Sequence, residues 1–190
     1  MNTLMMTMMN TTENKPNYKQ AEFCAHDLLK FLKVKEFPLN LIEISSVFSE
    51  MLRIIPYSKY MNDHNLSYDD IIGFFDSEDG VSVCHNGKYI IFYNDIIDNS
   101  ERIRWTIAHE LGHISLNHHK NEKTILTRNR LSKEEYIIYE LEAHTFAREF
   151  LAPMSLVYYI YSCFGNSANI SSIFGLSHEA TQNILKKMFE

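Results

Sequence analysis

An α+β fold is predicted from three patterns in the sequence. Apolar residues recur at helical spacing near both ends, a central stretch alternates at the period of a strand, and one helical stretch between them is apolar on two faces. Together they predict a small twisted sheet packed on a central helix, with further helices before and after it.

Taken in order, Ala21, Cys24, Ala25, Leu28, Leu29 and Leu32 give a first amphipathic helix from Tyr18 to about Val34. After Pro38, Asn40 is placed to cap a second helix, with Glu43 reaching back from the third position and Leu41, Ile44, Val47, Phe48 and Met51 forming its buried stripe. Arg53 to Tyr57 reads as extended, and Asn62 to Asp70 as a polar loop. From Ile71 to Asn94 the runs IIGFF, GVSVC and KYIIFYN, with an Asn86-Gly87 turn and a loop at Asp76 to Gly80, predict three or four strands.

Asp98-Asn99-Ser100 supplies the cap of the central helix. Ile103, Ile107, Leu111 and Ile114 line one side of it, and Trp105, His109, His113 and Leu116 another. Asn117 to Thr127 is read as its exit loop. Ser132-Lys133-Glu134-Glu135 is a capping box that opens a helix running to about Leu151, before Pro153. Met154 to Phe164 and two short helices within Asn169 to Phe189, broken at Gly175 and recapped at Ser177, complete the chain.

With 190 residues, 45% hydrophobic and 22% charged, the composition is that of an ordinary globular domain. A net charge of −6 argues against a general nucleic-acid or anionic-membrane binder. Cys24, Cys84 and Cys163 are odd in number and contain no CxxC, which fits reduced thiols in a cytosol. The opening MNTLMMTMMNTTENKPN lacks the basic and apolar regions of a signal peptide, and no segment approaches a membrane span. Residues 1–17 are expected to be a disordered leader and 18–190 a single domain, with a helical, helix-turn-helix-like tail at 165–190.

The chemistry is concentrated at His109-Glu110-Leu111-Gly112-His113, an HExxH match. Histidines four apart on a helix differ by about 40° of rotation, so both rings reach one metal ion, while Glu110 lies beside it. Two neutral nitrogen donors and a free carboxylate suit one zinc ion with a general base on water. Chance alone gives roughly 0.04 such matches in a chain of this composition, so the context decides.

Three further residues compete for the third ligand position that a catalytic zinc site needs. His119 stands at the last histidine of the HExxHxxGxxH pattern, but Leu116 occupies its turn-forming glycine. His118 and His119 read as a solvated helix end. Glu140 shares a helical face with His144, Ala147 and Leu151 and with Ile137 and Leu141, whereas Glu142 shares the other side with Glu135 and Glu149, which reads as a solvated face. A carboxylate on an apolar face needs a partner, which selects Glu140 over Glu142. His144 is expected to orient His109 or His113, against alternatives as a ligand or a packed core residue.

The run KYIIFYNDIIDNSERIRWTIAHELGHISLNHH, followed by ELEAHTFAREFLAP, closely resembles the ImmA/IrrE family of zinc-dependent peptidases. The shared features are an apolar strand ending in Asn, an Arg-x-Arg-aromatic-Thr lead-in, HELGH, and Glu-x-x-x-Asn-x-Phe-Ala with a closing Leu-x-Pro, over about residues 88–153. His144 departs from the family's Asn or Asp, and Leu151-Ala152-Pro153 from the commoner Leu-Met-Pro. The resemblance implies a zincin-like metallopeptidase domain, with His109, His113 and Glu140 as ligands and Glu110 as general base.

It also implies a cytoplasmic enzyme of a bacterium or phage that cleaves a helix-turn-helix repressor of a mobile element or stress response. Tyr136, Tyr139 and His118 are candidates for the donor to the oxyanion. Two other readings stand beside this one. One is a zinc-containing regulatory module that binds a repressor or DNA, although Lys186 and Lys187 are the only basic residues of the tail apart from His178. The other is a toxin or effector peptidase with another protein target.

Overall fold

The computed structural model describes residues 15–119 and 132–189. Of the expected leader, residues 1–14 lie outside that range, whereas Asn17 caps the first helix, its side chain accepting from the Gln20 N–H. The expected exit loop is described only as far as His119.

The fold is mixed α+β. The first helix, Tyr18–Phe31 (α1), has Ala21 and Ala25 fully buried, and these small residues let it lie against the later helix Lys133–Leu151 (α6). The second helix, Leu41–Val47 (α2), is shorter than the apolar stripe suggests. Leu41 and Ile44 are buried, but Val47 and Met51 are exposed because the chain leaves the helix at Phe48. The Asn40 amide donates to the Glu43 carboxylate and does not cap the backbone.

Leu52–Pro56 (β1), Gly80–His85 (β2) and Lys88–Tyr93 (β3) form a sheet in the order β1-β3-β2. β1 runs parallel to β3, with Ile54 opposite Ile91, and β2 runs antiparallel to it, with Ser82 opposite Ile91. The hairpin turns at Asn86 and Gly87, both at positive φ (50° and 71°), the backbone that matches strand twist in a two-residue loop.

One expected strand is a helix. IIGFF belongs to Tyr68–Phe75 (α4), which follows Tyr57–His64 (α3), so the stretch 62–70 read as a loop is also largely helical. The reason lies upstream of the apolar run. Ser67 and Asp70 form a reciprocal capping box that starts the helix, and Ile71 and Phe75, four apart, then supply its buried side. Phe74 is left exposed, as a helix allows and a buried strand would not.

The sheet is covered on both faces. Tyr57, Ile71, Phe75, Val81 and Phe92 form a small core under α3 and α4. Leu52 and Ile91, on the other face, join the main core with Ile107, Leu111 and Ile114 of the central helix Ser100–Ser115 (α5). Asn99 caps α5 by accepting from the Arg102 N–H, and Ser132 with Glu135 forms the capping box of α6. Arg104 on α5 donates to the carbonyls of Leu39 and Phe174, which ties the start of α5 to the chain before α2 and to the late helices. Those are Met154–Phe164 (α7), Ser167–Phe174 (α8) and His178–Phe189 (α9), with Gly165 and Gly175 in the left-handed conformation at the two helix ends.

Gly112 sets the distance between the two helices that carry the site. A Cβ there would stand 3.2 Å from the Ala143 backbone and 3.1 Å from the Phe146 ring. Gly112→Ala is therefore expected to force α5 and α6 apart and destabilise the protein by about 1–3 kcal/mol. Thermal unfolding checks this, and an unchanged melting temperature would contradict it.

Candidate metal centre

His109 and His113 sit one turn apart on α5, and Glu140 faces them from α6. The Nε2 atoms of the two rings are 3.1 Å apart. Glu140 Oε2 is 3.3 Å from His109 Nε2, and Oε1 is 3.4 Å from His113 Nε2. Donors held at about 2.0–2.1 Å in a tetrahedron are separated by roughly 3.3–3.4 Å, so these spacings are those of a zinc ligand set. Two imidazole lone pairs and a carboxylate converging this closely repel one another unless a cation or protons stand between them. The residues present therefore fit a divalent metal.

Electrostatics agree with that fit. Burial opposes charge on Glu140, but the hydrogen bonds and charges of His109 and His113 outweigh it and hold its carboxyl well below the usual range. Burial also opposes a proton on His109, yet Glu140 and Glu110 push its pKa up. A metal ion would replace the protons that the carboxylates otherwise favour on the rings. A Glu110 carboxylate oxygen lies within 4.8 Å of a ring nitrogen of His109 and of one of His113, and the residue is partly accessible.

Glu140 faces the histidines, and of the helical face expected around it Ala147 and Leu151 are buried while His144 is exposed. Ile137 and Leu141 are exposed, at 47% and 40%. The buried stripe of α6 is Ala143, Phe146, Ala147 and Phe150, and Glu140 continues it one turn earlier. The solvated face assigned to Glu142 and Glu149 is also wrong, since both are buried. Glu149 accepts from the Met154 N–H at the start of α7 and meets His26 Nε2 at 3.1 Å. Glu142 accepts from the Asn17 N–H at 2.6 Å and meets His118 Nε2 at 2.9 Å.

His118 and His119 are not a solvated helix end. Asn117 adopts the left-handed conformation, and the His118 and Asn117 N–H groups donate to the carbonyls of His113 and Ile114, a Schellman motif that folds the chain back on α5. His118 is thereby buried, with Nδ1 2.9 Å from His113 Nδ1 and its ring stacked on Tyr139 at 4.2 Å. With both nitrogens engaged, it is not the oxyanion donor expected among its neighbours. The signal for this turn was Asn117, one residue beyond the position where a glycine was sought.

His119 packs against Ser82 of β2, its Nε2 3.1 Å from the hydroxyl, and against the Tyr89 ring, so it is no ligand of this group. Burial, with His113 and His118 nearby, lowers its pKa to about 4. Below the ordinary 6.5 the unfolded chain takes up a proton that the folded chain refuses until about 4. This histidine's contribution is therefore fully present above pH 6.5 and is lost on acidification through that window, by up to about 1.4 kcal/mol per pH unit. His119→Asn should flatten the wild-type fall in stability between those two pH values, measured by denaturant unfolding; equal slopes would contradict the assignment.

His144 does not orient a ligand through a hydrogen bond. Its Nδ1 donates to the Glu140 carbonyl at 2.7 Å, its ring lies edge-on to His109 at 4.6 Å between centroids, and His109 Nδ1 has no hydrogen-bond partner among the described residues. His144 offers a nitrogen within 4.8 Å of the donors of His109 and Glu140.

A family model described as the IrrE N-terminal-like domain, of a peptidase family, matches residues 64–186, a range that holds both helices of this centre. No curated protein matches the chain. Among solved structures, a Mycobacterium tuberculosis transcriptional regulator is similar over 88% of this chain, with a TM-score of 0.56 and 13% identity. The chain spans 46% of the length of that regulator, and at this identity the likeness is one of fold.

Proposed function

Since the chain belongs to the IrrE N-terminal-like peptidase family, we propose that it is a cytoplasmic, zinc-dependent, site-specific endopeptidase that cleaves a helix-turn-helix repressor of a mobile element or stress response. The observation that carries this reading is the donor set of His109, His113 and Glu140: the two Nε2 atoms are 3.1 Å apart, Glu140 Oε2 is 3.3 Å from the first and Oε1 3.4 Å from the second, with Glu110 nearby. One zinc ion held there would polarise the scissile carbonyl and acidify the attacking water. Glu110 takes the proton from that water and passes it to the leaving amine, so no acyl-enzyme forms. His109, His113 and Glu140 would hold the ion, fixed by a helix pair that packs closely at Gly112.

The substrate class rests on the family resemblance. Incubating the protein with the repressor encoded beside its gene tests it: discrete fragments that vanish with chelator and return with zinc are expected. Intact repressor with zinc-loaded protein would contradict it.

His144 favours a second reading. Were its Nε2 to join His109 and Glu140 on the metal, the open position needed by an enzyme would be filled and the ion would serve structure alone. A role in DNA binding has less support, because α9 carries only Lys186 and Lys187 as basic side chains in its last turn. Among the described residues no helix is long and apolar enough to cross a membrane.

A further inference from the structure

We infer that Glu142 and His118 form a buried relay that fixes the tautomer and orientation of His113, making them positioning residues for the metal centre. The inference rests on the zinc reading above and extends it to residues that touch no metal.

The geometry gives a continuous chain. His113 Nδ1 is 2.9 Å from His118 Nδ1, and His118 Nε2 is 2.9 Å from Glu142 Oε2. The other oxygen of Glu142 accepts the Asn17 N–H at 2.6 Å, at the start of α1. His113, His118 and Glu142 are 4%, 6% and 9% exposed, so water does not compete freely for these atoms.

With His113 Nε2 on the ion and His118 neutral, hydrogen-bond polarity leaves one arrangement. An ionised carboxylate only accepts, so Glu142 requires the proton of His118 on Nε2. That leaves a lone pair on His118 Nδ1, which accepts the proton of His113 Nδ1. His113 in turn has its lone pair on Nε2, the atom that faces His109 and Glu140. A ligating histidine ordinarily gives its other N–H to a carboxylate or carbonyl. Here a second histidine is inserted between them, stacked on Tyr139 and delivered by the turn at Asn117. The arrangement points the His113 donor atom at the ion, and it ties that donor to the N-terminus of α1 through Glu142.

Three variants of the full chain test this. In His118→Gln the amide oxygen accepts from His113 and the amide nitrogen donates to Glu142, which preserves the polarity. His118→Leu removes both bonds, and His113→Ala removes the ligand. Zinc affinity, read by competition with a chromogenic chelator, should fall about 10–100-fold in His118→Leu and remain near wild type in His118→Gln. Nitrogen chemical shifts of zinc-loaded wild-type protein should place the proton of His118 on Nε2 and that of His113 on Nδ1. This last measurement decides even if the leucine variant fails to fold.

Wild-type affinity in a folded His118→Leu, or a proton on His118 Nδ1, would overturn the relay while His113→Ala still reports on the zinc reading. A wild-type chain that binds zinc no better than His113→Ala would overturn both.

Discussion

Replacing Glu110 by Gln is expected to lower peptide cleavage by about 10²–10⁴-fold while the zinc content stays that of the wild type. Glutamine keeps the size of the side chain and its place on α5 beside His109, but it has no carboxylate to take a proton from water. It also leaves the three proposed metal donors, His109, His113 and Glu140, untouched. The combination separates loss of the base from loss of the site. Cleavage at the wild-type rate in this variant would remove Glu110 from the mechanism, and loss of zinc along with activity would make it a ligand.

Replacing Glu140 by Ala is expected to weaken zinc binding by more than the 10–100-fold typical of an outer partner and to abolish cleavage. Two neutral imidazoles would remain, without the anion that offsets the charge of the ion. Glu140 is held ionised by its histidine neighbours in spite of burial. Removing it should also lower the affinity of His109 for protons, since Glu140 is one of the groups that raises it. Equilibrium zinc competition and cleavage of the repressor read the two effects. Wild-type affinity would eliminate Glu140 as a ligand and return attention to His144.

Much of this architecture is legible in the sequence where local chemistry determines it. The cap at Asn99, the capping box at Ser132 and Glu135, the Asn86-Gly87 turn and the break at Gly175 act within a few residues, and each stands where the sequence placed it. The run IIGFF, like any short apolar stretch, fits a buried strand or a helix equally well, and the arbiter, Ser67 with Asp70, lies outside it.

The faces of α6 were harder. An apolar side is defined by what packs on it, and α1 covers Glu142 and Glu149 with partners from far along the chain, Asn17 and His26. The periodicity of α6 alone therefore does not distinguish these two buried carboxylates from solvated ones. Glu140 faces the histidines even so, but its neighbours on the buried stripe are Ala143 and Ala147 rather than Ile137 and Leu141.

The consecutive histidines after α5 differ from the solvated helix end for a related reason. Their burial depends on one left-handed residue, and Asn117, which adopts that conformation at low cost, was the available sign. What that turn delivers, His118 against Glu142, joins segments 24 positions apart and has no signature in either segment alone.

The central claim is that His109, His113 and Glu140 hold one zinc ion with room left for water. The most direct measurement is an anomalous difference map at the zinc absorption edge from crystals of the zinc-loaded protein. A single peak about 2.0–2.2 Å from His109 Nε2, His113 Nε2 and a Glu140 oxygen, with His144 outside bonding distance, is the predicted result. A peak bonded to His144 as a fourth protein ligand, a peak elsewhere, or no peak at these residues would contradict it.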